Sequence, residues 1–133
     1  QKELCEVLKD KADLGVRLRY TYQTKDRQGL LVLANETIPA VLKSLDRFFA
    51  AFERQWMREN KSFGFEIQCL RIGGLSKRLE FIRRVLLSYL AGEQEMIEEL
   101  EQMRKPFHYL NRTDIDTLRY HMWSDMVSAG VIG

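Results

Sequence analysis

Two aspartates of this 133-residue chain, Asp114 and Asp116, lie two residues apart. A hydrolase that works by acid and base catalysis needs two carboxyl groups facing one bond across a gap. Residues 113–117, "TDIDT", fit the capping of a turn better than such a pair. We therefore predict no catalytic carboxylates here.

The histidines and cysteines suggest no metal chemistry. His108 and His121 have no cysteine or carboxylate at ligand spacing, which predicts a packing or surface role. Cys5 and Cys69 also lack such spacing, and each lies beside an apolar residue in a helical pattern. We expect both to be buried free thiols. The sequence predicts neither a metal site nor a cofactor.

The segment "NKSFGFEIQCLRIGGL", residues 60–75, differs from its surroundings and has three interpretations. A phosphate-binding loop is disfavoured, because "GGLSK" lacks both common glycine patterns. A strand over residues 62–70 has an alternation of apolar residues in its favour. A turn over residues 62–65 followed by a helix is the interpretation we favour. It places Gly74 on the buried face, where a glycine costing roughly 1 kcal/mol would serve as a packing notch.

Helical periodicity extends over most of the remaining chain. Asp26 and Thr37 are predicted caps, and Pro39 falls in a first turn, where its missing N–H costs least. Several helices with short connections predict one mostly α domain, an antiparallel bundle. The predicted helices run from about Lys2 to Gln23, over residues 28–36, from Ile38 to about Asn60, from the turn at residues 62–65 to Gly92, and over residues 93–105 before Pro106.

The end of the chain follows another period. Leu118, Tyr120 and Met122 alternate with polar residues, as do apolar residues further on. We expect a short extended or β C-terminal tail, with a final helix as the alternative. Trp123 is the best candidate for an exposed aromatic at an interface. The aromatic stripe of the third helix (Phe48, Phe49, Phe52 and Trp56) is predicted to be core rather than a carbohydrate platform.

Composition argues against two classes of partner. The chain has 21 basic and 19 acidic residues, a net charge of +2. This balance predicts no nucleic-acid partner. No apolar run reaches the roughly 18 residues of a membrane span, and no signal peptide is visible.

The stretch "WMRENKSFGFEIQCLRIGGLSKRLEFIRRVLLSYLAGE" resembles the helical C-terminal domain of a subgroup of bacterial glycoside hydrolase family 20 enzymes, the β-N-acetylhexosaminidases. The start "KADLGVRLRYTYQTKDR" and the end "YHMWSDMVSAGVI" are similar to the same domain. Ser62 departs from an expected proline and Cys69 from an expected carboxylate. The residues that match the motif are Trp56, Asn60, Lys61, Gly64, Arg71, Gly73, Gly74, Leu75 and Arg78.

The resemblance implies a parent enzyme with an Asp-Glu pair on a (β/α)8 barrel that removes terminal N-acetylhexosamines. This chain has no Asp-Glu dipeptide and is shorter than the ~200 residues of such a barrel. We therefore expect an excised, non-catalytic accessory domain of a cytoplasmic bacterial glycosidase. Its partner would be the barrel of the same chain, and a homodimer stays open. A stand-alone helical interaction module and a carbohydrate-binding module are the alternatives.

Overall fold

A computed structural model describes residues 1–102, and within this range the chain is helical with no strand. This confirms the mostly α, bundle-like class. The predicted tail and Trp123 lie outside the described residues. The elements are α1 (Lys2–Lys11), α2 (Leu14–Gln23), α3 (Arg27–Val32), a π-helical segment (Leu33–Thr37), α4 (Ile38–Glu59), α5 (Phe65–Ala91) and α6 (Glu98–Glu101).

The prediction of a single helix from Lys2 to Gln23 is wrong, because the helix is interrupted between Lys11 and Leu14. The break allows α1 to pack on α4 while α2 packs on α3. The apolar stripe is buried only in part, and Leu4 and Leu8 remain exposed. Its buried members are Val7, Leu14, Leu18 and Tyr22.

The boundaries of α3 and α4 test three predicted signals. The Asp26 carboxylate accepts a hydrogen bond from the Gly29 N–H at 2.9 Å, which confirms the predicted cap. Pro39 lies in the first turn of α4, as predicted. The Thr37 cap is wrong, because the backbone there is already helical (φ −66°, ψ −53°). Asn60 follows the end of α4, as predicted, but its conformation is extended (φ −132°, ψ 168°) rather than the left-handed one common at helix ends.

The helical path does not stop between α3 and α4 but widens into a π turn. The Ile38 N–H donates to the carbonyl oxygen of Leu33, five residues back. In that register the next donor would be Pro39, which has no N–H, so the Ala34 carbonyl lacks a helical partner. Arg83 of α5 supplies one, since its Nε–H donates to that oxygen at 2.8 Å. A buried carbonyl is thereby paired, and α5 is tied to the π turn.

The core lies where α2, α3, the π turn, the beginning of α4 and α5 meet. Leu30, Ile38, Val41 and Leu86 are among its most deeply buried side chains. One apolar stripe of α5 faces this core, with Leu79 and Leu86 buried and Leu75, Ile82, Tyr89 and Leu90 packed against it.

The interpretation of residues 62–70 as a turn followed by a helix is confirmed, because α5 begins at Phe65 and includes the glycine doublet. Gly92 ends α5 in the left-handed conformation (φ 78°), as predicted. Cys5 and Cys69 are free but exposed, so the expectation that they are buried is wrong. Both lie on helix faces away from the core.

The helix predicted over residues 93–105 is wrong at its start. Glu93 and Glu95 precede the short α6, and the backbone is extended at Ile97 (φ −105°, ψ 97°). Tertiary contacts explain this, because Ile97 is buried in the core and Gln94 donates to the Val85 carbonyl oxygen at 2.9 Å. Its predicted end, at Pro106, lies outside the described residues.

Replacing Arg83 should expose the dependence of α5 on the π turn. We expect Arg83→Met to lower the free energy of unfolding by about 1–3 kcal/mol, because the Ala34 carbonyl is left buried without a donor. Arg84→Met is the matched control on the exposed side of the same helix and should change stability by less than about 0.5 kcal/mol. Denaturant unfolding followed by circular dichroism measures both.

Pro39→Ala returns an N–H that can pair with the Ala34 oxygen. In that background the cost of Arg83→Met should shrink, and a double-mutant cycle measures the coupling. Equal costs in both backgrounds would show that Arg83 stabilises the domain by another route.

Candidate functional site

The residues of the motif form two groups in the structure. The first comprises Trp56, Asn60, Lys61 and Gly64 and lies at the connection between α4 and α5. The second lies along α5 itself and comprises Arg71, Gly73, Gly74, Leu75 and Arg78.

The first group builds the turn. The Trp56 indole N–H donates to the Lys61 carbonyl oxygen at 2.9 Å, so the last turn of α4 holds the connection in place. Gly64 adopts φ +93°, a region that side chains rarely enter, and its N–H donates to the Glu66 carboxylate at 2.8 Å. The Trp and Gly of the motif are thus explained by local geometry, without a ligand.

An aromatic cluster supports this turn from below. Phe65, only 6% exposed, lies 5.6 Å from Phe49, 6.0 Å from Phe52 and 5.8 Å from Trp56 between ring centroids. The rings pack on one another in tilted and stacked arrangements, which suits a packing role better than an open sugar platform. The sequence did not indicate Phe65 as the centre of this aromatic cluster. The α4 rings that it contacts can be identified only once the geometry of the turn is known.

The second group lies on both sides of α5. Leu75 packs against the core, whereas Gly73 and Gly74 are exposed, and a Cβ added to either would meet no atom within 4 Å among the described residues. The prediction that Gly74 lies on the buried face is therefore wrong. The helical register explains it, because Leu75 and Leu79 turn the other side of the helix toward α3 and α4. Arg71 is also exposed.

Arg78 connects α5 to the segment after it. Its guanidinium pairs with the Glu99 carboxylate and lies over the Phe81 ring, 5.6 Å from the centroid. The Arg78 side chain is about one-quarter exposed, so the pair is partly shielded from solvent.

Tyr22 forms a polar contact that the sequence did not reveal. Its hydroxyl donates to the Glu101 carboxylate at 2.6 Å and accepts from the Ile97 N–H at 3.0 Å. Burial raises the pKa of the Tyr22 phenol, and the bond to Glu101 raises it further. Arg19 adds bonds to the carbonyls of Leu100 and Gln102 at 3.2 and 2.9 Å. The two residues of α2 thus fix residues 97–102, some eighty positions away, beyond the reach of spacing rules.

The described residues assemble no reactive site. Within residues 1–102, no group of three or more histidine, cysteine or acidic side chains could hold a metal ion. A groove of about 360 Å³ between α2 and α3 includes Asp26, whose carboxylate already caps α3. None of the helices of this range is long and apolar enough to cross a membrane. His108, Asp114, Asp116 and His121 lie outside the described residues.

The described residues form a helical, bundle-like domain whose motif shapes a turn and an exposed helix face. The family model of the Glycoside Hydrolase 20C C-terminal domain matches residues 1–120, and the chain belongs to this family. The resemblance found in the sequence is thereby confirmed. A search of curated proteins gave no significant match. Membership implies a glycoside hydrolase as the parent and association with the catalytic domain of the same chain.

The glycines of the motif should respond oppositely to alanine. We expect Gly64→Ala to lower the free energy of unfolding by about 1 kcal/mol, because an alanine is strained at φ +93°. Gly73→Ala should raise it by about 0.5–1 kcal/mol, since a helical glycine with free space around its Cα gains from alanine. Urea unfolding of the 133-residue chain compares them. A loss of stability in both variants would contradict the assignment of Gly73 to an open helix face.

The Tyr22 contact should make stability fall at high pH. A tyrosine whose folded pKa is raised stabilises the fold fully below its unfolded pKa of about 10, and that contribution is lost as the pH rises through the folded value. Tyr22→Phe removes this dependence and also costs about 1–2 kcal/mol at pH 7, because the Ile97 N–H loses its acceptor.

The measurement is the difference in unfolding free energy between the original chain and Tyr22→Phe, at pH 8 and above pH 10. The difference isolates Tyr22 from the lysines and other tyrosines that titrate in the same range. Tyr20→Phe, at an exposed position of the same helix, is the control and should leave the pH dependence unchanged. A difference that does not vary with pH would contradict the proposed role.

Proposed function

We propose that this chain is the non-catalytic C-terminal domain of an exo-acting β-N-acetylhexosaminidase and that it packs against the catalytic (β/α)8 barrel of that enzyme. The observation that carries the proposal is the family match over residues 1–120. The motif that suggested the hexosaminidase subgroup lies inside the matched range. The same assignment supports a single-domain, accessory organisation.

Exposed apolar side chains support a partner. Among the described residues, several large apolar groups face solvent, including Phe63 at 88%, Leu70 at 76% and Ile67 at 48% exposure. Single exposed apolar residues are ordinary on proteins, but those that share a surface mark an interaction site. A covalently attached catalytic domain is present at high effective concentration, so modest apolar contacts suffice to hold it in place.

The family assignment also ranks the alternatives. A stand-alone interaction module would not require a catalytic domain upstream, whereas a C-terminal domain of a hydrolase does. A carbohydrate-binding role would require exposed rings that stack on sugars, but the α4 rings pack on Phe65 instead. Calorimetric titration of the chain with N-acetylhexosamine oligosaccharides should give no heat of binding, and measurable affinity would revive this alternative.

The proposal predicts where activity resides. We expect the full-length parent enzyme to release p-nitrophenol from p-nitrophenyl N-acetyl-β-D-glucosaminide and the 133-residue chain to release none, because the catalytic groups lie on the barrel. Continuous absorbance assays at equal molar concentration compare them. Turnover by the 133-residue chain, abolished by a point substitution within it, would refute the accessory role.

The assignment of the substrate can be wrong even if the assignment to the hydrolases is right. A parent that cleaves other glycosides but no N-acetylhexosaminide would retain the hydrolase assignment and overturn the hexosaminidase one. Sedimentation equilibrium of the parent tests for a homodimer, which the proposal does not require.

A further inference from the structure

The helix α5 is apolar on two opposite sides, of which the bundle covers one. Phe65, Leu79 and Leu86 point into the domain and are buried. A helix with apolar residues all round is expected to be buried on all sides. A second set of residues, which we term the open face, lies on the other side of α5 and consists of Ile67, Leu70, Gly74 and Phe81.

The open face follows helical spacing. Its members are three, four and seven residues apart, which places them on one side of the helix. Ile67 is 48%, Leu70 76% and Phe81 44% exposed, and no atom of the described residues lies within 4 Å of the position of a Cβ on Gly74. Lys77, with 77% exposure, lies beside the face, and the Arg78 guanidinium lies over the Phe81 ring at its far end. An apolar centre with a charged border is the usual pattern of an interface.

The glycine pair adds an energetic argument. Gly73 and Gly74 stand in the interior of a 27-residue helix, where each costs about 1 kcal/mol relative to alanine. Neither is required by backbone conformation, because both are helical, and neither makes room for a group of the described domain. A close approach by something outside the described domain explains both glycines.

The path of the chain indicates which partner approaches. Glu3 pairs with Arg47 at 3.7 Å, so the chain enters the bundle beside α4, one turn before the aromatic residues that hold Phe65 and the beginning of α5. Gln102 is held by Arg19, on the same helix as Tyr22, which packs on Tyr89 near the end of α5. The N-terminal half of α5, with Ile67, Leu70 and Gly74, therefore lies nearer than the C-terminal half to the level along α4 at which residues 1–3 pack.

We infer that the open face of α5 is the surface on which the catalytic domain of the same chain packs, with Gly74 in closest contact. The inference rests on the proposed function, because a C-terminal domain is preceded by the catalytic domain. It names the contact surface, which family membership does not. The other occupants, a second copy of the chain or its own residues beyond Gln102, become outcomes of the test.

Thiol labelling distinguishes these occupants. The Leu70→Cys substitution is made in a Cys5→Ser, Cys69→Ser background, in the full-length parent and in the 133-residue chain. A maleimide should react with the thiol at position 70 about tenfold or more slowly in the parent than in the 133-residue chain, because the centre of an interface excludes solvent. Val16→Cys, at an exposed position of α2, is the control and should react at similar rates in both.

Each other result overturns the inference. Equal, fast labelling at position 70 in both proteins leaves the open face uncovered by the catalytic domain. Slow labelling already in the 133-residue chain assigns the face to a second copy if the rate rises on dilution, or to the chain's own residues if it does not. Ile67→Cys repeats the measurement, should Leu70→Cys not fold by circular dichroism.

Gly74→Ala provides an independent test, because we expect it to change thermal stability differently in the 133-residue chain and in the parent. It should raise the melting temperature of the 133-residue chain and lower, or leave unchanged, the temperature at which the parent loses activity. A similar rise in both proteins would show that Gly74 touches nothing in the parent. Hydrolysis of the N-acetylhexosaminide is measured on the same samples. Failure of the inference about the contact surface can therefore be distinguished from failure of the proposed activity.

Discussion

The fold depends on how the continuous helical path from Arg27 to Glu59 accommodates Pro39. A proline in this position removes one backbone donor, and the π turn leaves the Ala34 carbonyl as the group without a helical partner. Arg83 pairs with that oxygen from α5, so a local defect in one helix fixes the position of another. The apolar core then forms around this contact, with Ile38 and Leu86 among its most buried members.

The sequence correctly predicted the helix ends and turns that are determined by interactions between neighbouring residues. Asp26 caps a helix, Gly92 ends one, and the turn before Phe65 is followed by a helix, as their residue types indicate. Two of the predictions that failed involve competition with side-chain contacts outside the helix concerned. Asn60 is extended because the Trp56 indole holds the connection that follows, and residues 93–97 leave the helical state to bury Ile97.

The candidate site could be predicted less completely than the fold. The motif indicated the family by its resemblance, and the structure gives the Trp and Gly at the α4–α5 connection a geometric reason. The side of α5 that Gly74 occupies was misjudged, because α5 carries two apolar stripes and a sequence does not say which one the domain covers. Tyr22 and Glu101 are 79 positions apart, so no periodicity could have paired them.

Three of the contacts between distant segments share one chemical form, an arginine side chain bound to a backbone oxygen. Arg19 binds the Leu100 carbonyl, Arg27 that of Leu90 at 2.6 Å, and Arg83 that of Ala34. A backbone oxygen is supplied by every amino acid, whereas the guanidinium is supplied by one. We therefore expect the two positions of each contact to differ in their tolerance of substitution. The position that supplies the backbone oxygen should accept other residues of similar size, whereas the arginine should not be replaceable.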